Sequence, residues 1–239
     1  MSLDRLRYEL RLLGKVVFLT PLLVVCGLGL LIALVHRDMN LTDISRSMGA
    51  SLEVLLPMAA GVVVATVATH DPALELQLTM PRKYHHTANA RFLCILLWSA
   101  VVALLTSSVL VRFGYLRQID EIAHWSQPWQ FLTWQLNWLS SMLWLVALGL
   151  VLSLLLRSRA ASGAVICAIS IGEIVFHGAM EQNLWLFLVY LFPLTFSPDT
   201  SYWLFNRIEL LGTAIVLLLV AWLLLRLPEL LLSRAPGEE

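Results

Sequence analysis

Few residues in this chain could do chemistry. Glu53 and Glu173 are read as the acids embedded in long apolar runs, and His177 follows Glu173 at the four-residue spacing that puts two side chains on one helical face. A carboxylate and an imidazole so placed could pass a proton or hold two corners of a metal site. A metal centre needs further ligands, and the six histidines are scattered without a cluster. His70 and His177 should lie near opposite faces of a membrane, which argues against paired haem ligation. An ionisable group at mid-span costs roughly 2.5–3.5 kcal/mol on insertion scales, so both acids are expected in the outer half of the bilayer. There each either lines an exit path or a dimer seam and helps to select substrate, or is paired with Arg46 or Arg207, or snorkels to the interface. The chain has no H-E-x-x-H, no G-x-S-x-G and no G-x-x-x-x-G-K-[ST], so it cannot cradle a nucleotide phosphate in that way and has no hydrolase signature. Neither a metal nor catalysis is expected; the alternative is an intramembrane enzyme using Glu173 and His177.

A second group of residues has a different character. Between two apolar runs lies a loop over 70–91 that contains His70-Asp71-Pro72-Ala73-Leu74-Glu75-Leu76-Gln77-Leu78-Thr79-Met80-Pro81-Arg82-Lys83. Residues 73–79 can form about two helical turns. Asp71 sits near their start, where free amides and the helix dipole favour a carboxylate. Leu74, Leu76 and Leu78 with Glu75 make a knob of mixed character that could seat in a groove on a partner. Pro81 stops the helix, and Arg82 and Lys83 reach headgroups or partner acids. A passive anchor does not need such a loop; a membrane subunit that receives force from a soluble partner does.

The elements that position these residues follow from composition. The chain is 59% hydrophobic and 13% charged over 239 residues, with mean hydropathy +0.80, whereas soluble domains are nearer 45–50% apolar and about 25% charged. Its solvent is therefore a bilayer. Zero formal net charge argues against a nucleic-acid role. Cys26, Cys94 and Cys167 fall within apolar runs and are expected to be buried thiols rather than a disulfide framework. Six runs, at 16–35, 50–69, 92–112, 131–156, 161–179 and 208–227, approach the length of a spanning helix, and in hydrocarbon each must be helical to satisfy its backbone. Pro57 should kink the second. The expected fold is an all-α polytopic membrane protein of six transmembrane helices in a single domain, 1–239.

Three flanking features complete this reading. Leu3, Leu6, Leu10, Leu13 and Val17 form one apolar stripe, with Arg7, Arg11 and Lys15 off it, so 2–15 reads as an interfacial helix. No cleavage site follows the first run, which is taken as an uncleaved span. Placing the N-terminus inside leaves eleven Lys and Arg on inner segments against five outside, Arg207 among the outer five; both termini and the 70–91 loop are then cytoplasmic. Trp125, Trp129, Trp134 and Trp138 read as an aromatic belt at the outer boundary. Over 180–207, the run 184–192 is too short to span, Pro193 and Pro198 mark a turn, and 202–205 is apolar again. These pieces suggest a re-entrant hairpin before the last span, which requires packing against protein.

Taken together, Asp71, the segment Glu75-Leu76-Gln77-Leu78-Thr79-Met80-Pro81 and Arg82 resemble the coupling region of type-2 ABC exporter permeases. In that family the second span is followed by an acid, a coupling helix reading roughly E-L-L-L-x-x-P, and basic residues. Gln77 departs from the usual leucine, and His85-His86 stand where further basic residues are more usual. The order of interfacial helix, six spans and re-entrant hairpin matches the family over the whole chain. The resemblance implies a permease of the inner cell membrane that pairs with a second copy or a paralogue. It implies separate ATP-binding subunits that carry the ATP and Mg and push on the coupling helix. The cargo would be an amphipathic or hydrophobic drug, peptide or lipid-like compound. A non-transporting scaffold or sensor is a further alternative.

Overall fold

The computed structural model of the chain describes residues 3–35, 40–67, 84–113, 115, 122, 124–156, 158–196 and 202–226. The coupling residues Asp71, Glu75, Leu76, Leu78, Pro81 and Arg82 lie outside them. No strand occurs among the described residues, and the chain is an all-α protein. Helix α1 covers Leu3–Val35 and is broken at Gly14, whose φ of 74° is a left-handed value that only glycine adopts without strain. The break falls where the amphipathic N-terminal stripe gives way to the first apolar run, so the two differently solvated pieces of α1 need not share an axis.

Helix α2 (Leu41–Ala50) leads through a π-turn, Ser51–Leu55, into α3 (Leu56–Val67). Where a kink was expected at Pro57, the helix carries this π-turn just ahead of the proline. Proline has no amide to give to the carbonyl four residues back, and the ladder widens ahead of it, with Leu56 N–H bonded to Ser51 O, five residues away. Helix α4 spans Tyr84–Arg112. It begins eight residues before the expected third run, so 84–91 is helix rather than loop, and Thr87, Ala88 and Arg91 are buried there. Helices α5 (Gln127–Trp134) and α6 (Leu136–Leu156) follow one another almost without interruption. Helix α7 (Arg159–Val175) opens on Ser158, whose hydroxyl caps Ala161 N–H. Three short helices come next, α8 (His177–Gln182), α9 (Leu184–Leu188) and α10 (Pro193–Phe196), and α11 (Trp203–Arg226) closes the described chain. The final helix begins five residues ahead of the expected run, so Trp203 to Arg207 belong to it and not to the hairpin.

Among the described residues, five stretches are long and apolar enough to cross a membrane: Gly14–Leu31, Asp43–Val67, Thr87–Arg112, Gln127–Leu156 and Trp203–Arg226. The run read as the fifth span, 161–179, is divided. At 17 residues, α7 is about 26 Å long, short of a hydrocarbon core of about 30 Å, and Phe176 breaks the helix before α8.

Helix α6 is the hub, packing against α3, α11, α7, α4 and the π-turn. Its approach to α3 is set by glycine. A Cβ on Gly149 would stand 2.6 Å from Gly61 O, and one on Gly61 would stand 3.0 Å from Leu145 O, so the two backbones touch, as small residues permit in membrane bundles. Two expectations about side chains change. Trp125 and Trp129 are exposed as a belt requires, but Trp134 and Trp138 are each 4% exposed and belong to the core. Cys26 faces outward, whereas Cys94 and Cys167 are half-buried. The contact between α3 and α6 makes a prediction. Gly149→Val should destabilise the purified protein by about 1–3 kcal/mol, read as a lower melting temperature in detergent, whereas Gly27→Ala, which meets nothing within 4 Å, should leave it unchanged.

Candidate functional site

The break between α9 and α10 is irregular backbone, and Tyr190, Leu191 and Phe192 within it are each fully buried. Backbone amides and carbonyls away from water need partners, and here side chains from five other elements supply them. Glu53, on the π-turn, accepts Leu194 N–H at 3.1 Å on Oε1, and Thr195 N–H at 2.7 Å and the Thr195 hydroxyl at 2.5 Å on Oε2. Glu173, on α7, accepts Leu191 N–H at 2.8 Å. Asn206, on α11, donates to Phe187 O at 2.7 Å and Tyr190 O at 3.1 Å. Ser141, on α6, donates to Leu191 O at 2.7 Å. Arg46, on α2, donates through Nε to Thr195 O at 3.0 Å.

Arg207 lies at the centre, about one turn into α11 and fully buried. Its Nη2 meets Glu53 Oε1 at 2.5 Å, both side chains being 0% exposed. Its Nη1 faces Asn137 O, Ser140 Oγ, Ser141 Oγ and Leu191 O at 2.9–3.1 Å. Its guanidinium also lies 5.9 Å from the ring centre of Trp203, one turn earlier on α11. Arg207 Nε and both polar atoms of the Asn137 carboxamide are buried and take no hydrogen bond among the described residues.

Two of the singled-out acids are thus brought to one site, and they differ. Glu53 is completely enclosed and paired with Arg207, one of the partners weighed for it; Arg46, the other, goes to a backbone carbonyl instead. Glu173 is 6% exposed, and its single hydrogen bond among the described residues is the one from Leu191. His177 does not join it. The helix stops at Phe176, and His177 is exposed, with Nδ1 3.0 Å from Ile174 O and its ring stacked on Phe196 at 5.0 Å. Arg207, counted from the sequence as an outer-loop cation, is an interior residue. A third acid, Glu209, lies within the last span; it is half-buried and was missed because it stands at the edge of its apolar run. The sequence signal for Arg207 was present, since an arginine flanked by Trp203, Leu204 and Phe205 and by Leu210 and Leu211 is costly in a membrane unless paired.

As chemistry, the arrangement binds and positions. Glu53 has its charge and most of its lone pairs engaged, whereas Glu173 has one hydrogen bond among the described residues. Comparison with family models, with curated proteins and with solved structures returns no significant match.

Removing one member of a buried ion pair leaves the other uncompensated, at a cost of about 3–5 kcal/mol. Arg207→Met should therefore lower the melting temperature sharply, and Glu53→Gln combined with it should cost less than the two single changes added. Strict additivity in that double-mutant cycle would show that the two side chains do not depend on each other.

Proposed function

We propose that this chain is the membrane subunit of an ATP-driven exporter of the type-2 ABC kind, with six spans, both termini in the cytoplasm of a cell whose inner membrane it occupies, and a second copy or paralogue beside it. The observation that carries this reading is the order of elements. An amphipathic helix bends at Gly14 into the first span, and a second span enters the coupling region with its amphipathic Glu75-Leu76-Gln77-Leu78 knob. A set of short helices then precedes the last span. That order matches the resemblance noted for the coupling segment, and the missing phosphate loop fits an engine carried on another polypeptide.

The fifth span in this reading is α7 continued by α8, which brings the count to six. The short helices α9 and α10 form the re-entrant hairpin, whose irregular backbone is admissible because Glu53, Glu173, Asn206 and Arg207 saturate it. Interior placement of Arg207 and Arg91 removes one cation from each side of the orientation count, so ten inner Lys and Arg face four outer ones and the N-in topology is favoured as before. Arg226 lies over Trp222, 3.6 Å from the ring centre, a pairing suited to the interface at the inner end of the last span. ATP and Mg act on the partner subunit. Closure of that subunit pushes the coupling segment that precedes α4, and the cargo is amphipathic or hydrophobic. Glu173 and His177 engage different partners, which favours a transport role for Glu173 over an enzymatic pair.

The test is co-purification with the ATP-binding subunit encoded by a neighbouring reading frame that carries a phosphate loop, with ATPase activity read in lipid nanodiscs. Glu75→Arg should abolish stable association or ATP turnover in a protein that still elutes as the folded species. A wild-type chain that binds no ATPase overturns the exporter reading.

A further inference from the structure

The buried cluster holds two carboxylates and one guanidinium, and the guanidinium is committed. Arg207 gives Nη2 to Glu53 and spends Nη1 on the carbonyls and hydroxyls of α6 and Leu191. It cannot turn to Glu173 without abandoning Glu53. Glu53 in turn accepts from Arg207, from the amides of Leu194 and Thr195, and from the Thr195 hydroxyl, and is 0% exposed. Glu173 stands in contrast. A carboxylate has about four acceptor positions, and this one accepts a single amide at the edge of the cluster, with 6% of its surface still open; Arg207 acts on it through space, but no ion pair reaches it among the described residues.

The chain that follows Glu173, and the core that its partner Leu191 belongs to, are largely apolar. Ile174, Met180 and Phe196 are half-buried and pack on the core that contains Tyr190 and Leu191. Val175 and Phe176, next along α7, are exposed. Phe196 and His177 present a stacked pair of rings, a surface that suits an organic cation. One carboxylate with a single hydrogen bond is a poor site for a hard metal ion, which requires several oxygen ligands, and it repels anions.

We infer that Glu173 is the site at which this protein holds the positively charged head of an amphipathic cargo, a protonated amine or a quaternary onium group, with the apolar body lying against Phe196, Ile174 and Met180. The inference rests on the exporter reading and narrows its cargo to lipophilic monocations. Leu191, whose amide orients the carboxylate, lies in the segment clasped by Glu53 and Arg207, so loading of this site and the geometry of the clasp are mechanically joined.

The probe is tetraphenylphosphonium, with tetraphenylborate as an anion of the same shape. Equilibrium binding is measured on the full-length chain in nanodiscs, without any ATPase partner. Wild type should bind the phosphonium and not the borate. Glu173→Gln, which preserves an acceptor for Leu191 N–H, should weaken phosphonium binding by about tenfold or more, whereas Glu209→Gln, altering another acid of the spans, should not. A second measurement needs no variant: labelling of Glu173 by dicyclohexylcarbodiimide, followed by mass spectrometry, should be slowed by the phosphonium and unaffected by the borate. Equal phosphonium binding by wild type and Glu173→Gln, or no protection from labelling, overturns the site. Absence of phosphonium binding in wild type also overturns it while leaving the exporter reading standing, because that reading is decided by the ATPase association.

Discussion

The contact on which the rest of this structure depends is the buried pair of Glu53 and Arg207. Each side chain alone would be a heavy cost inside a membrane domain, and the break between α9 and α10 would be another, because its amides and carbonyls have no helical partners. The three costs offset one another. Glu53 covers the exposed amides of Leu194 and Thr195, Arg207 covers Leu191 O, and the remaining charge of each is met by the other. Charged hydrogen bonds are the strong ones, and a break in the backbone gives them work that a regular helix would not. The general rule that irregular backbone at membrane depth must be packed on protein is met here by side chains, and they come from α2, the π-turn, α6, α7 and α11 together.

Placement of Glu53 is itself a backbone matter. Pro57 cannot donate to Glu53 O, and the wider π-turn ahead of it lets Leu56 reach Ser51 O. Arg46 and Glu53 are seven residues apart, about two turns, so they form one stripe down the second span. Both reach Thr195, one at its carbonyl and the other at its amide and hydroxyl. On α6, Asn137, Ser140 and Ser141 occupy one face by the same arithmetic, and that face receives Nη1 of Arg207. The Gly61–Gly149 contact acts at the other side of the hub: by letting α3 and α6 touch, it brings the element carrying Glu53 close to the element carrying the serines.

Much of the architecture was legible in the residues because the bilayer imposes length and apolarity on any span. Over their described residues, the runs at 16–35, 50–69, 92–112, 131–156 and 208–227 are found as parts of helices, and the amphipathic start of the chain ends at a glycine whose backbone breaks there. What was not legible depends on partners distant in sequence. Arg207 reads as a loop cation because nothing local shows that Glu53, 154 positions away, will meet it. Trp134 and Trp138 read as belt residues because composition cannot distinguish a tryptophan facing lipid from one facing α4, and Ser107 and Trp138 meeting at Gln135 Oε1 are visible only in three dimensions. The two acids could be found from apolar context, but their difference could not. Which one is saturated and which keeps a free edge is decided by where Arg207 points.

That difference has a mechanical consequence. The clasped segment touches the second span through Arg46 and Glu53, the hub through Ser141, α7 through Glu173 and the last helix through Asn206 and Arg207. Any motion that separates the second span from the last helix must either carry the segment with one side or break the pair. A break would expose an unpaired charge to a low-dielectric interior, so the favoured path is for Glu53, Arg207 and the segment to move as one body. Glu173, held by a single hydrogen bond to Leu191, is then the joint at which α7 can slip against that body. That bond leaves one carboxylate oxygen free, so a bound cation at Glu173 would bear directly on the only polar tie that α7 makes to the clasp among the described residues.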